Sequence, residues 1–215
     1  MKKLPSFRSL FSVFWDAFLP ENVVLVQAMG LCPILAIGYQ LKTGVVLAIC
    51  TAIVLVPANL LLSLLGKKVP QWLRPPLYAV LTTALLLLAA LLLRQFIASD
   101  VYARLELFLP LMAVNSLFSV RTAGKQAASA HPLLSAMESL GMALGFGLVL
   151  CVASAVREAT ISGAIWNIPL GFEARFPEAA YPFIGYVLLG FMAAALQAGT
   201  KLWRRLTSRK EEAPL

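Results

Sequence analysis

The chain has 215 residues, of which 60% are apolar and 13% charged, with a net charge of +8. Soluble domains run at roughly 45–50% apolar and about 25% charged, so this balance excludes a soluble globular domain, a disordered chain, a fibrous repeat and a small secreted scaffold. A compact integral membrane protein remains, because about 20 apolar residues make one spanning helix and the stretches between the apolar runs are too short for a separate soluble domain.

At the start of the chain, Phe7, Leu10, Phe11, Phe14, Trp15 and Phe18 recur at helical spacing, while Arg8, Ser9, Ser12 and Asp16 fall on the other face. This predicts an amphipathic helix in the membrane interface over residues 1–20 rather than a cleaved leader, since Asp16 interrupts the apolar run. Residues 22–41 form the first span, interrupted by Gly30-Leu31-Cys32-Pro33. Gly30 permits a turn or a close approach. Pro33 removes a backbone donor and blocks the helix on its N-terminal side. Uncharged runs at 43–65 and 75–93 supply the second and third spans. The fourth, 107–120, has only 14 residues, about 21 Å of helix against a hydrocarbon core of about 30 Å, and it carries Pro110 and Asn115. The fifth, 135–156, contains one carboxylate, Glu138. The sixth is the uncharged run 179–200. The membrane bundle therefore occupies 21–120 and 121–206, followed by a tail over 207–215.

The order of segments is broken, long, long, then short, long, long. Three spans per half require related halves to be inverted, and a pair of interrupted segments at matching places points to a midplane site. The expected fold is an all-α polytopic membrane protein with six transmembrane helices in an inverted 3+3 repeat, the first and fourth helices being broken. Basic residues sort by side accordingly. The N-terminus, the 66–74 and 121–131 loops and the tail carry 13 Lys and Arg, against 5 on the other side. The positive-inside rule then places both termini in the cytoplasm. The basic charge reads as topology information, not as a nucleic-acid surface.

Candidate chemistry sits in the two interrupted segments. Cys32 places a polarizable thiol near mid-depth, where a membrane protein holds an ion or an electron carrier's metal; the competing reading is a small buried hydrophobe. Asn115 and Ser116 are polar at membrane depth, and either line a site facing Cys32 or hydrogen-bond to a neighbouring helix. Three cysteines, Cys32, Cys50 and Cys151, without CxxC spacing, argue against a disulfide framework and a self-contained zinc site. Ser135-x-x-Glu138 reads as a capping box opening the fifth span, or as a carboxylate at the mouth of an ion path that also involves Gly30, Pro33 and Asn115. Arg157 closes that span, where a cation suits a helix C-terminus. Arg157 and Glu158 read as anchors or contacts with another subunit, and His131 as solvated. No residue stands out as catalytic.

Several of these residues carry a resemblance. Asn22-Val23-Val24-Leu25-Val26-Gln27, Gly30-Leu31-Cys32-Pro33, Arg74-Pro75-Pro76-Leu77-Tyr78, Phe108-Leu109-Pro110-Leu111, Asn115, Arg121, Ser135-Ala136-Met137-Glu138, Gly145, Arg157-Glu158 and Pro182-Phe183-Ile184-Gly185 together resemble the paired six-span subunits of Rnf and Na⁺-translocating NADH:quinone reductase (Nqr) complexes. The Arg74–Tyr78 stretch and the N-terminal extension are closer to the E-type subunit of Rnf (D-type of Nqr) than to its inverted sister (A-type of Rnf, E-type of Nqr). The resemblance covers nearly the whole chain. It implies a core subunit, not catalytic alone, of an ion-translocating electron-transport complex in a bacterial or archaeal cell (inner) membrane. Such a subunit relays electrons across the midplane, coupled to Na⁺ or H⁺ movement. It further implies a [2Fe–2S] cluster shared with the sister subunit, two cysteines coming from each. Cys32 matches the first family ligand, and Ser116 stands where the family has its second cysteine. Nothing in the chain resembles a GxGxxG loop or a flavin-attachment motif, so other subunits would hold those cofactors. Ser116 also leaves two other readings: a small membrane transporter or substrate-binding membrane subunit using the same repeat, and a non-redox structural paralogue.

Overall fold

A computed structural model describes residues 7–19, 22–38, 40–65, 69–96, 102–103, 132–166, 168–169, 176, 178 and 181–211. Its helices are α1 (Phe7–Phe18), α2 (Leu31–Ile37), α3 (Leu41–Leu65), α4 (Arg74–Phe96), α5 (Pro132–Ser162) and α6 (Pro182–Glu211), and a short hairpin follows α5, with β1 (Ala164–Ile165) antiparallel to β2 (Ile168–Pro169). Helix is the expected outcome for uncharged runs of this length, since in lipid each backbone N–H and C=O must be satisfied within its own segment. Among the described residues, four helices are long and apolar enough to cross a membrane: Leu41–Leu64, Arg74–Gln95, Pro132–Ser162 and Pro182–Lys201. The chain is thus a mostly helical, polytopic membrane protein. The expected fourth span, 107–120, with Asn115 and Ser116, lies outside the described residues, as does His131.

Helices α3 and α5 form the core and run antiparallel. Gly44 lies against Ser154, Gly147 against Ala48, and the Asn59 amide donates to Ser139 Oγ at 2.9 Å. Glycine and alanine at these crossings let the two backbones approach closely, which drives helix association where no hydrophobic effect operates between helices. Tyr78 of α4 donates its hydroxyl to Asn59 Oδ1 at 2.8 Å, and Ser135 of α5 donates to the Asn59 carbonyl at 3.4 Å. This polar cluster ties α3, α4 and α5 together near one end.

Helix α1, which the sequence reading lays in the membrane interface, instead lies lengthwise along α5 and parallel to it. A Cβ on Gly141 would meet the Phe14 carbonyl oxygen at 2.5 Å, and one on Gly145 would meet that of Phe18 at 2.7 Å. The spacing Gly141-x-x-x-Gly145 is the small-residue pattern that admits a neighbouring helix backbone. These contacts gather the start of α1, the end of α3 and the starts of α4 and α5 at one end of the bundle, so Arg8 and Arg74 share that end.

Three further details differ from the sequence reading. The sequence places the interruption of the first span at Gly30–Pro33, whereas Cys32 and Pro33 are helical, inside α2, and the non-helical residues are 22–30. Pro33 occupies the first turn of α2, where its missing N–H would have had no helical partner. The turn belongs to Asn22. Its Nδ2 donates to the Phe18 carbonyl at 3.1 Å, and its Oδ1 accepts from the N–H groups of Val24 (3.0 Å) and Leu25 (3.2 Å). Ala28 and Gly30 then take left-handed backbone, at φ 54° and 77°. Likewise, Ser135-x-x-Glu138 does not cap α5. That helix already starts at Pro132, a residue suited to a first helical position, and the Ser135 hydroxyl is used on α3. Nor does Arg157 close α5, which continues to Ser162.

Candidate functional site at the α2 corner

Helix α2 is seven residues long, too short to be stable in isolation. Its position is fixed from α5. Arg157, only 1% exposed, donates Nη1 to the carbonyls of Ile34 (3.3 Å) and Leu35 (3.1 Å), and Nη2 reaches the Tyr181 carbonyl at 3.5 Å, just before α6. The guanidinium therefore meets the backbone carbonyls of α2, where the helix dipole favours a cation. Glu158, 8% exposed, works on the other side of α5. Its Oε2 accepts the N–H of Leu41, the first residue of α3, at 2.7 Å, and its Oε1 accepts the N–H of Trp166 in the hairpin at 3.2 Å. An anion at a helix N-terminus is the complementary arrangement. Burying either charge unpaired would cost several kcal/mol; here each is surrounded by fixed backbone dipoles. Gly185 lets α6 close on this corner, since a Cβ there would lie 2.7 Å from Leu35 Cδ2 and 3.5 Å from Arg157 Nη1.

Among the residues singled out from sequence, Gly30, Cys32 and Pro33 come together on α2. Gly30 and Pro33 are buried and Cys32 is exposed on the surface of the bundle. Glu138 is half-buried, 19 residues before Arg157 on α5 and hence about 28 Å away along that helix. It belongs with the opposite end. Cys50 is buried inside α3 and Cys151 half-buried inside α5. Sequence reasoning assigns Arg157 and Glu158 to anchoring but misses what they anchor. The available signal is an adjacent pair of opposite charges at the edge of an uncharged run. It also misses the turn made by Asn22.

No group of three or more His, Cys, Asp or Glu among the described residues is placed to hold a metal. Of the three cysteines, Cys32 alone has an exposed thiol, so it is the one a group held outside the helix bundle could reach.

This arrangement, in which long apolar helices hold a short, thiol-bearing helix by its backbone carbonyls, is that of a polytopic helical membrane protein. Residues 10–198 match the family described as Rnf-Nqr subunit, membrane protein, and the chain belongs to that family. It is similar to the E-type subunit of the ion-translocating oxidoreductase complex of Shewanella oneidensis, at 35% identity over 155 residues, covering 72% of this chain and 66% of that protein. The protein of the same name from Shewanella putrefaciens is 34% identical over the same coverage, and that from Pseudoalteromonas atlantica is 28% identical over 93% of this chain and 91% of its own. The chain spans just under two thirds of the length of the Shewanella proteins.

Proposed function

We propose that this chain is an E-type membrane core subunit of an ion-translocating oxidoreductase complex of the Rnf/Nqr kind, set in a bacterial or archaeal inner membrane with both termini cytoplasmic. In this reading it relays electrons near the membrane midplane together with an inverted sister subunit, coupled to movement of Na⁺ or H⁺. The family match over residues 10–198 carries the proposal, and the exposed thiol of Cys32 on a clamped short helix supports it.

A shared [2Fe–2S] cluster would supply one-electron chemistry there, with Cys32 giving one thiolate, the sister chain others, and Ser116 standing at the remaining position from this chain. Four thiolates are the ordinary ligation of such a cluster, and a serine oxygen is a harder donor than iron–sulfur centres favour. The chain's own residues do the positioning. Gly30 turns the backbone into α2, Pro33 is buried in its first turn, and Arg157 fixes the carbonyl end of the helix.

Iron measured per intact complex tests this. The parent should bind iron, Cys32→Ala should lose it, Cys50→Ala and Cys151→Ala should keep it, and Ser116→Cys should raise retention. Unchanged iron in Cys32→Ala would remove the redox role and leave the transporter or structural-paralogue reading, which the serine at position 116 favours.

A further inference from the structure

The α1–α5 contacts place a carboxylate deep in the bilayer on an outward-facing surface. Contacts register α3 and α4 against α5: Asn59 of α3 opposite Ser139, and Tyr78 of α4 opposite Asn59. By this register the centres of the uncharged runs 43–65, 75–93 and 139–156 all fall between Leu144 and Leu148 of α5. Phe14 beside Gly141 and Phe18 beside Gly145 put Asp16 level with Ala143, within about 8 Å of that common midplane along the helix axis. The hydrocarbon half-thickness is about 15 Å.

Asp16 nevertheless faces away from α5. Arg8, Ser12 and Asp16 recur every fourth residue on one exposed line of α1, and the hydrogen bond found for the Asp16 carboxylate comes from Ser12 Oγ at 3.3 Å. Beside this line stand the exposed rings of Phe11 (57%) and Trp15 (49%), stacked at 6.3 Å between centroids. Lipid tails cannot solvate a carboxylate, and ionisable groups at this depth face protein or water. Aromatic side chains flanking a polar line are also what interface cores enrich.

We infer that the Arg8–Ser12–Asp16 line of α1, with Phe11 and Trp15, is a docking face for a membrane helix of another subunit, which brings a cationic or hydrogen-donating side chain against Asp16. The inference rests on the reading of the chain as one subunit of a complex, and charge complementarity selects the partner. It is independent of whether Cys32 binds iron, so the iron measurement and this one fail separately.

The test uses the intact complex in its native membrane, with a photo-crosslinking amino acid at position 12 and Asp16 retained. The expected product is an adduct heavier than the chain that contains peptides of a second subunit of the same complex. Adducts with lipid alone, or within this chain (residues 97–131 included), would overturn the inference. In a second arm, Asp16→Leu should lower recovery of the crosslinked subunit, normalised to this chain, by at least about tenfold, since truncating one partner of a buried charge pair is costly. Asp16→Asn should lower it less. Unchanged recovery in both variants would also overturn it, and if ion movement were lost at the same time, Asp16 would belong to an ion path instead.

Discussion

Replacing Arg157 by leucine removes the guanidinium that holds α2. Two hydrogen bonds to the Ile34 and Leu35 carbonyls, at 3.3 and 3.1 Å, are lost, together with the longer one to Tyr181. Bonds with a charged donor contribute about 1.5–3 kcal/mol each, and the 3.5 Å contact adds little. Two such bonds amount to about 3–6 kcal/mol, and the cost of breaking a buried charge's interactions elsewhere sets the expected loss at about 3–5 kcal/mol. For a chain of this size about 2–4 °C of melting temperature accompany each kcal/mol, so the purified complex should melt roughly 6–20 °C lower. Freed of its clamp, α2 should move, and labelling of Cys32 by a membrane-permeant maleimide, in a background with Cys50 and Cys151 replaced by alanine, should change in rate. Arg157→Lys keeps the charge, and its one nitrogen can still donate to both α2 carbonyls, but it loses the second nitrogen that reaches Tyr181 and is more strongly hydrated, so it should fall between parent and Arg157→Leu in both assays. An Arg157→Leu complex with parental melting and parental Cys32 labelling would refute the clamp.

Gly145→Val places a branched side chain where the Phe18 carbonyl and the Asn22 amide already sit at 2.7 and 2.9 Å from a Cβ. It should displace α1 and cost about 1–3 kcal/mol, read as lower melting and faster proteolysis near α1. Tyr78→Phe leaves the buried Asn59 Oδ1 without its donor and should cost about 1–3 kcal/mol, which the double variant Tyr78→Phe/Asn59→Leu should partly recover. A reporter active only in the cytoplasm, fused after Leu215, should give signal, whereas signal from a fusion after Gln40 and silence at Leu215 would invert the proposed orientation.

Much of this architecture is legible in the sequence for simple physical reasons. Uncharged runs long enough to span must be helical in lipid, so α3, α4, α5 and α6 follow from charge placement alone. Their ends are less legible. Arg157 and Glu158 look like a boundary because charges usually mark one, yet α5 runs on to Ser162, since both groups are satisfied by backbone from α2, α3, Tyr181 and the hairpin. That satisfaction is a tertiary fact with no local signature. Pro33 reads as the point where a helix stops, although a proline is equally at home where one begins, and periodicity does not distinguish the two. Asn22 escapes notice because an asparagine that turns a chain within a membrane looks the same, in sequence, as one that merely ends a loop. The site residues on α2 are visible through Gly30, Cys32 and Pro33; what holds them is not.

The Asn22 turn also bears on how the protein is made. Most of what packs against the first forty residues arrives late: Gly141 and Gly145 are translated more than a hundred residues after Phe14 and Phe18, and Arg157 more than a hundred after Leu35. A non-helical stretch entering lipid with open N–H and C=O groups would be expelled or trapped during that delay. Asn22 supplies three hydrogen bonds from one side chain, and Val26 and Met29 donate back to the carbonyls of Asn22 and Val23 at 2.9 and 3.0 Å. The newborn segment thus carries its own solvation into the bilayer and can wait there for the helix that will later grip it.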